Sequence, residues 1–143
     1  MRFWDASAVV PLVTLEEETD DCRNFLAEDT EIVVWFFTPV EVISALTRRL
    51  REKSLKPSDL IKAKEQLAAL EGAWSQVVSV EQVRELARRL LERYPLRAAD
   101  SLQLAAALIV SEDNPQGVPF ITLDRRLGQA AERAGFNVLG ISP

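Results

Sequence analysis

The order of apolar and polar positions divides the chain into short, continuous apolar runs separated by longer amphipathic ones. Phe3-Trp4 reads as the end of a short buried strand that stops at Asp5. Ser7 to Val13 can then form a short helix, with Pro11 as an early terminator or kink. Leu15 to Asp29 reads as a second helix with Cys22, Phe25 and Leu26 facing inward. Glu16, Glu17, Glu18, Asp20 and Asp21 crowd its start, where the helix dipole favours negative charge, and read as a solvated helix end. Glu31 to Phe37 is β-branched and aromatic without alternation, the pattern of a strand buried on both faces. Trp35, Phe36 and Phe37 are accordingly expected in the core rather than stacked on bases.

Thr38-Pro39-Val40-Glu41 opens the next helix, with Thr38 as N-cap, Pro39 at the first helical position and Glu41 completing a capping box. Val42, Ile43, Ala45, Leu46 and Leu50 form its buried stripe, and Arg48, Arg49, Arg51 and Lys53 its basic end. A short connection, Ser54 to Pro57, leads to a helix over Ser58–Glu71 that Gly72 should stop. The two helices are expected to pair antiparallel and to offer a dimer or partner surface. Gln76 to Val78 is a short third strand, and Ser79 with Gln82 caps a helix whose Val83, Leu86, Ala87, Leu90 and Leu91 face inward. Arg84, Arg88, Arg89 and Arg93 alternate there with Glu81, Glu85 and Glu92 as surface ion pairs. Leu102 to Val110 is apolar almost all round and must be buried, which leaves Asp100-Ser101 to reach the surface or a cleft. Val118 to Leu123 is a fourth strand ending at Asp124, Arg125 to Ala134 a last helix stopped by Gly135, and Phe136 to Ile141 a last strand. This alternation of strand and helix predicts one α/β domain over residues 1–143, with a central parallel sheet and helices on both faces.

Composition narrows the chemistry more than the fold. The 48% hydrophobic and 27% charged content is that of an ordinary globular domain. The start, Met1 to Val13, carries an acid inside its apolar run and makes a poor signal peptide, and Leu102–Val110 is too short for a bilayer. A cytoplasmic protein with no membrane partner is expected. Cys22 is the only cysteine, so no internal disulfide or multi-cysteine metal site can form. The chain has no histidine, which removes Ser-His-Asp and Cys-His nucleophiles and His-ligated zinc. Hydrolytic chemistry would have to run on carboxylates, whose hard oxygens select Mg²⁺ or Mn²⁺. A net charge of −5 argues against polyanion binding by the whole surface. It leaves room for a local basic patch, for bound cations, or for a basic protein partner.

Four acids occupy equivalent places: Asp5 and Asp124 just after strands, Glu41 and Asp100 in first helical turns. In a parallel α/β sheet all of these lie on one edge, where ligands bind. Each acid alone has a structural reading as a cap, Asp100 through a capping pair with Gln103. Together they raise an electrostatic problem, since two carboxylates about 4 Å apart repel by roughly 4 kcal/mol at an effective dielectric near 20. A divalent ion relieves that repulsion at neutral pH, and oxygen ligands with open water positions describe an Mg²⁺ or Mn²⁺ hydrolase site.

Four stretches carry a family resemblance over essentially the whole chain. They are Phe3-Trp4-Asp5-Ala6-Ser7-Ala8, then Thr38-Pro39-Val40-Glu41-Val42 with Ser44-Ala45-Leu46, then Leu96 to Ala105 around Asp100-Ser101, and Thr122-Leu123-Asp124-Arg125-Arg126-Leu127. With these the sequence resembles a PIN domain, most closely the VapC-type toxins of bacterial toxin–antitoxin pairs. The resemblance implies a three-layer α/β/α sandwich with strand order three-two-one-four-five. It implies a metal-dependent endoribonuclease, a homodimer and a cognate antitoxin that blocks the site. The family's catalytic, metal-binding acids fall on Asp5, Glu41, Asp100 and Asp124, its hydroxyl beside the first aspartate on Ser7. Gln103 stands where many relatives have histidine. The implied reaction is hydrolysis of an RNA phosphodiester with Mg²⁺, for which Mn²⁺ can substitute. Arg97, Arg125 and Arg126 flank the motifs as candidates for holding phosphates. The alternative is a non-catalytic PIN-like module that binds a basic protein or RNA. A phosphoacceptor receiver fits worse, because only arginines follow Asp124, and a haloacid-type phosphatase wants an acid where Ser7 stands.

Overall fold

The computed structural model describes residues 1–142. The elements run β1 (Arg2–Trp4), α1 (Ala6–Val13), α2 (Thr19–Glu28), β2 (Ile32–Trp35), α3 (Thr38–Arg51), α4 (Pro57–Ala73) and β3 (Ser75–Val77). They continue with α5 (Val80–Arg93), α6 (Ala98–Val110), a 3₁₀ turn at Pro115–Gly117, β4 (Phe120–Ile121), α7 (Arg125–Arg133) and β5 (Val138–Leu139). Every strand pairing is parallel and the order is β3-β2-β1-β4-β5, as the family resemblance implied.

The continuous apolar runs are explained by a core on each face of the sheet. Successive residues of a strand point to opposite faces. Phe3, Val33, Trp35 and Phe120 therefore pack with Val83, Leu90, Leu104 and Leu127 from α5, α6 and α7. Trp4, Ile32, Val34 and Ile121 pack on the other side with Val9, Cys22, Val42, Leu46 and Leu67 from α1, α2, α3 and α4. Phe3 stacks on Phe120 with ring centroids 5.3 Å apart, which ties β1 to β4 within one layer of the core. The chain leaves β1 toward β2 on one side and receives β4 on the other. The crevice outside the carboxyl end of β1 is thus the switch point of the sheet, where α/β proteins bind ligands. Among the described residues no helix is long and apolar enough to cross a membrane.

Several local expectations are corrected. Pro11 lies inside α1, which runs two residues beyond it to Val13. Helix α2 begins at Thr19 rather than Leu15, which is 82% exposed. Thr19 accounts for the late start, because its hydroxyl donates to the Pro11 carbonyl at 2.8 Å and accepts from the Glu16 N–H at 2.8 Å. Glu16 to Glu18 therefore sit in a turn and only Asp20 and Asp21 in the first helical turn. Strand β2 ends at Trp35, and Phe36 and Phe37 are 42% and 44% exposed instead of joining the core. Its partner β3 stops at Val77, whose carbonyl takes the Phe36 N–H, and among the described residues no further strand covers the two rings. Gly72 does not stop α4, which continues to Ala73 before Trp74 turns extended. Ser79 stands at the N-cap of α5 without a side-chain capping bond, and Leu91 is exposed.

Two glycines make opposite predictions. At Gly140 φ is +105°, and an added Cβ would lie 2.4 Å from the Thr122 carbonyl oxygen. Gly140→Ala is expected to lower stability by about 1–3 kcal/mol. At Gly72 a Cβ would meet open space within a helix, so Gly72→Ala should raise stability by roughly 0.5–1 kcal/mol. Urea denaturation midpoints of the two variants test both signs.

Candidate active site

Asp5 follows β1 directly and caps α1. Its backbone N–H donates to the Ile121 carbonyl at 2.9 Å, which fixes it against β4. Its side chain is nearly sealed, with the residue 5% exposed. Oδ2 accepts from the Ser7 hydroxyl at 2.5 Å, the Thr122 hydroxyl at 2.8 Å and the Ser7 N–H at 3.3 Å. The Ser7 Oγ in turn accepts from the Leu123 N–H at 2.9 Å, and the Thr122 Oγ1 from the Asp124 N–H at 3.0 Å. One network thus joins the ends of β1 and β4 and positions both Asp5 and Asp124. Thr122 was not singled out from the sequence; the signal was a hydroxyl at the end of an otherwise apolar strand run.

Asp124 caps α7, with Oδ1 accepting from the Leu127 N–H at 3.1 Å and Oδ2 without a donor among the described residues. The expected capping box at Thr38 and Glu41 does not form. Phe37 takes the N-cap position, Thr38 is the first residue of α3 and fully buried, and no side chain caps this helix. Glu41 is held instead by Gln103 of α6, whose Nε2 donates a short hydrogen bond to Glu41 Oε2 and a second, at 3.1 Å, to Thr38 Oγ1. Gln103 is 1% exposed, and its Oε1 is buried without a donor. The expected Asp100–Gln103 capping pair is absent too, since no side chain caps α6. Asp100 is half-buried in the first turn of that helix.

Asp5, Glu41, Asp100 and Asp124 line one cavity of about 380 Å³, together with Ser7, Glu16, Glu18, Arg48 and Arg49. Glu16 is no solvated helix end. It pairs with the guanidinium of Arg49 through Oε2 at 2.6 Å from Nε and Oε1 at 3.1 Å from Nη2, while Arg49 Nη1 holds the Ala45 carbonyl at 3.1 Å.

The acids perturb one another. Burial pushes the Glu41 carboxyl up to about 7, with the charges of Asp5 and Asp100 adding and the Gln103 hydrogen bond opposing. Burial raises Asp100 to about 6, helped by the charges of Asp124 and Asp5. Asp5 is also raised, because burial outweighs the bonds from Ser7 and Thr122. Among the described residues no three acids close on a single point as a finished ligand shell. The donor set nevertheless fits a hard divalent cation: carboxylate oxygens only, mutually repelling, with Asp5 Oδ1 and Asp124 Oδ2 not spent on protein donors.

Residues 2–133 match the family model of the PIN domain, and the chain belongs to that family. Its fold is similar to that of VapC20 from Mycobacterium tuberculosis, described as a sarcin–ricin loop cleaving toxin. That likeness has a TM-score of 0.63 and 16% identity, covering 100% of each chain. FitAcB from Neisseria gonorrhoeae matches with a TM-score of 0.63 and 12% identity, over 97% of this chain and 96% of that one. PAE2754 from Pyrobaculum aerophilum matches with a TM-score of 0.58 and 19% identity, over 90% and 83%. No curated protein matches the sequence.

The raised Glu41 carboxyl gives a pH dependence of known sign. Between its ordinary value of 4.5 and about 7, folded Glu41 holds a proton that the unfolded chain has released. Stability falls with rising pH wherever the folded state binds more protons. In a chelating buffer Tm should therefore decline between pH 5 and pH 8. Glu41→Gln should flatten that decline and exceed wild type in Tm at the upper end, as followed by circular dichroism.

Proposed function

We propose that this PIN domain is a Mg²⁺-dependent endoribonuclease and the toxin of a toxin–antitoxin pair. The observation that carries the reading is the meeting of four acids from the ends of β1 and β4 and the starts of α3 and α6 around one cavity, each raising or feeling its neighbours' charge. The fold shared with VapC20, a sarcin–ricin loop cleaving toxin, supports RNA as the substrate.

Asp5, Asp100 and Asp124 are the residues that would hold the ion, with Glu41 binding a second ion or orienting water. When bound, Mg²⁺, or Mn²⁺ in its place, supplies an activated water and neutralises charge on the leaving oxygen. The chain's own contribution is orientation. Ser7 and Thr122 lock the Asp5 carboxylate so that one oxygen is spent on protein donors and the other faces the cavity. Gln103 holds Glu41 toward the same space, the role of a residue that orients a ligand from behind. The exclusion of histidine leaves no competing general base of that type.

The partners follow from the same reading. A homodimer and a basic antitoxin suit an acidic chain that exposes Phe36, Phe37, Val40, Val78 and Val80. An apolar groove of about 420 Å³ between α3 and α4, lined by Pro39, Val40, Ile43 and Leu67, would serve a partner segment. A cytoplasmic location accompanies that role.

Asp5→Asn is expected to reduce RNA cleavage by at least a hundredfold or so, and to abolish the rise in Tm that Mg²⁺ produces in the wild type. Gln103→Leu should cost about 10–100-fold with the fold retained. Cleavage that survives exhaustive chelation, or that Asp5→Asn leaves at the wild-type rate, would overturn the assignment. RNA binding without any cleavage would select the non-catalytic module instead.

A further inference from the structure

A second cavity, of about 500 Å³, adjoins the first and shares two of its walls. It is lined by Arg97, Ala99, Asp100, Asp124, Arg125 and Arg126. Arg97 immediately precedes α6, and Arg125 and Arg126 open α7, so the packing of α6 against α7 gathers three guanidinium groups that are far apart in sequence. All three residues are exposed, and among the described residues none of them forms an ion pair. What sets them apart is their setting, since among the described residues the only carboxylates that share their cavity are Asp100 and Asp124. Arg48 and Arg49 share the acidic cavity with Glu16 and Glu18, Arg49 being paired with Glu16, and Arg84 and Arg88 on α5 pair with Glu85.

We infer that the arginine-lined cavity is a phosphate subsite for the nucleotide next to the scissile bond, on one side only. This inference rests on the ribonuclease reading and deepens it. A single strand whose cleaved phosphate lies among the four acids must pass Asp100 and Asp124 to leave toward α6 and α7. Its next phosphate then enters the cavity of Arg97, Arg125 and Arg126. A strand leaving past α3 meets Arg48 and Arg49 together with Glu16 and Glu18, two cations balanced by two carboxylates, with Arg49 already paired to Glu16. The geometry therefore selects a strand that extends past the cut toward the arginines and is indifferent to its length on the other side. The three arginines are positioning residues, because they touch a phosphate that does not react.

The test uses Arg97→Gln/Arg125→Gln/Arg126→Gln, with Arg88→Gln/Arg89→Gln on α5 as the control. Binding of a fluorescent single-stranded oligouridylate is measured in the Asp5→Asn background across a salt series. Each lost phosphate contact on a single strand should reduce the slope of log affinity against log salt by about 0.7. The triple variant should show that reduction and the control should not. In the cleaving protein the triple variant should raise KM about tenfold and leave kcat nearly unchanged, as expected of a contact to a non-reacting phosphate. Oligonucleotides that keep only one nucleoside beyond the cleaved phosphate, on the 5′ or on the 3′ side, complete the test. One of the two truncations should cost the wild type the same factor and cost the triple variant nothing further. An unchanged salt slope, or truncations that harm the variant as much as the wild type, would overturn the subsite while leaving the ribonuclease standing. A wild-type protein that neither cuts nor binds RNA would overturn both.

Discussion

The candidate site depends on how a nearly sealed carboxylate is held at the centre of the sheet. Asp5 receives three donors on a single oxygen, two of them hydroxyls, from Ser7 and Thr122. A buried charge without partners would simply take up a proton. Here the hydrogen bonds offset only part of the desolvation, and the carboxyl still lies above its ordinary range. The arrangement constrains the fold around it. β4 must pair with β1 in the register that sets Trp4 against Ile121, so that Thr122 arrives beside Asp5. Gly140 must come close to the Thr122 carbonyl, which is why no side chain fits there. The central carboxylate and the strand register are thus one requirement.

Capping and chemistry turn out not to compete. Asp5 and Asp124 are N-caps in the ordinary sense, each accepting from a backbone N–H of the following helix. A carboxylate has two oxygens, and a cap needs only one of them. Helix N-termini add a favourable dipole for the charge that remains. Glu41 and Asp100 depart from the capping reading altogether. Thr38 is buried and its hydroxyl is engaged by Gln103, so no capping box is available to Glu41. Gln103 pulls that carboxylate toward the cavity from 62 residues away in the chain.

That separation marks the boundary of what the sequence made legible. The two-faced burial of the strands could be read from apolar runs without alternation, and the edge shared by the four acids followed from parallel topology alone. What escaped was non-local. The bond from Gln103 to Glu41, the Thr122 bond to Asp5 and the Glu16–Arg49 pair each join segments that no local pattern relates. The misplaced aromatics have the same cause. Phe36 and Phe37 continue the composition of β2, but pairing ends with the short strand β3, and pairing decides burial. The late start of α2 came from one threonine hydroxyl bridging back to the Pro11 carbonyl, which outweighed helix-favouring charge in the preceding residues.

Charge raises a last question, because an acidic chain with a net charge of −5 is proposed to act on a polyanion. Long-range attraction from the whole surface is unavailable to it. Screening makes this less restrictive than it sounds, since exposed charges act over only about 8 Å at physiological ionic strength. Within that range the distribution matters more than the sum. The acids of the cavity call for cations, and a divalent ion among them reverses the local sign where a phosphate must sit. Next to them, three arginines without ion pairs among the described residues supply positive charge on one side, while on the other Arg48 and Arg49 are balanced by Glu16 and Glu18. On this reading the acidic remainder of the surface discourages indiscriminate binding along a nucleic acid. Productive encounters are confined to a strand that can engage the metal-holding cavity and the arginines together.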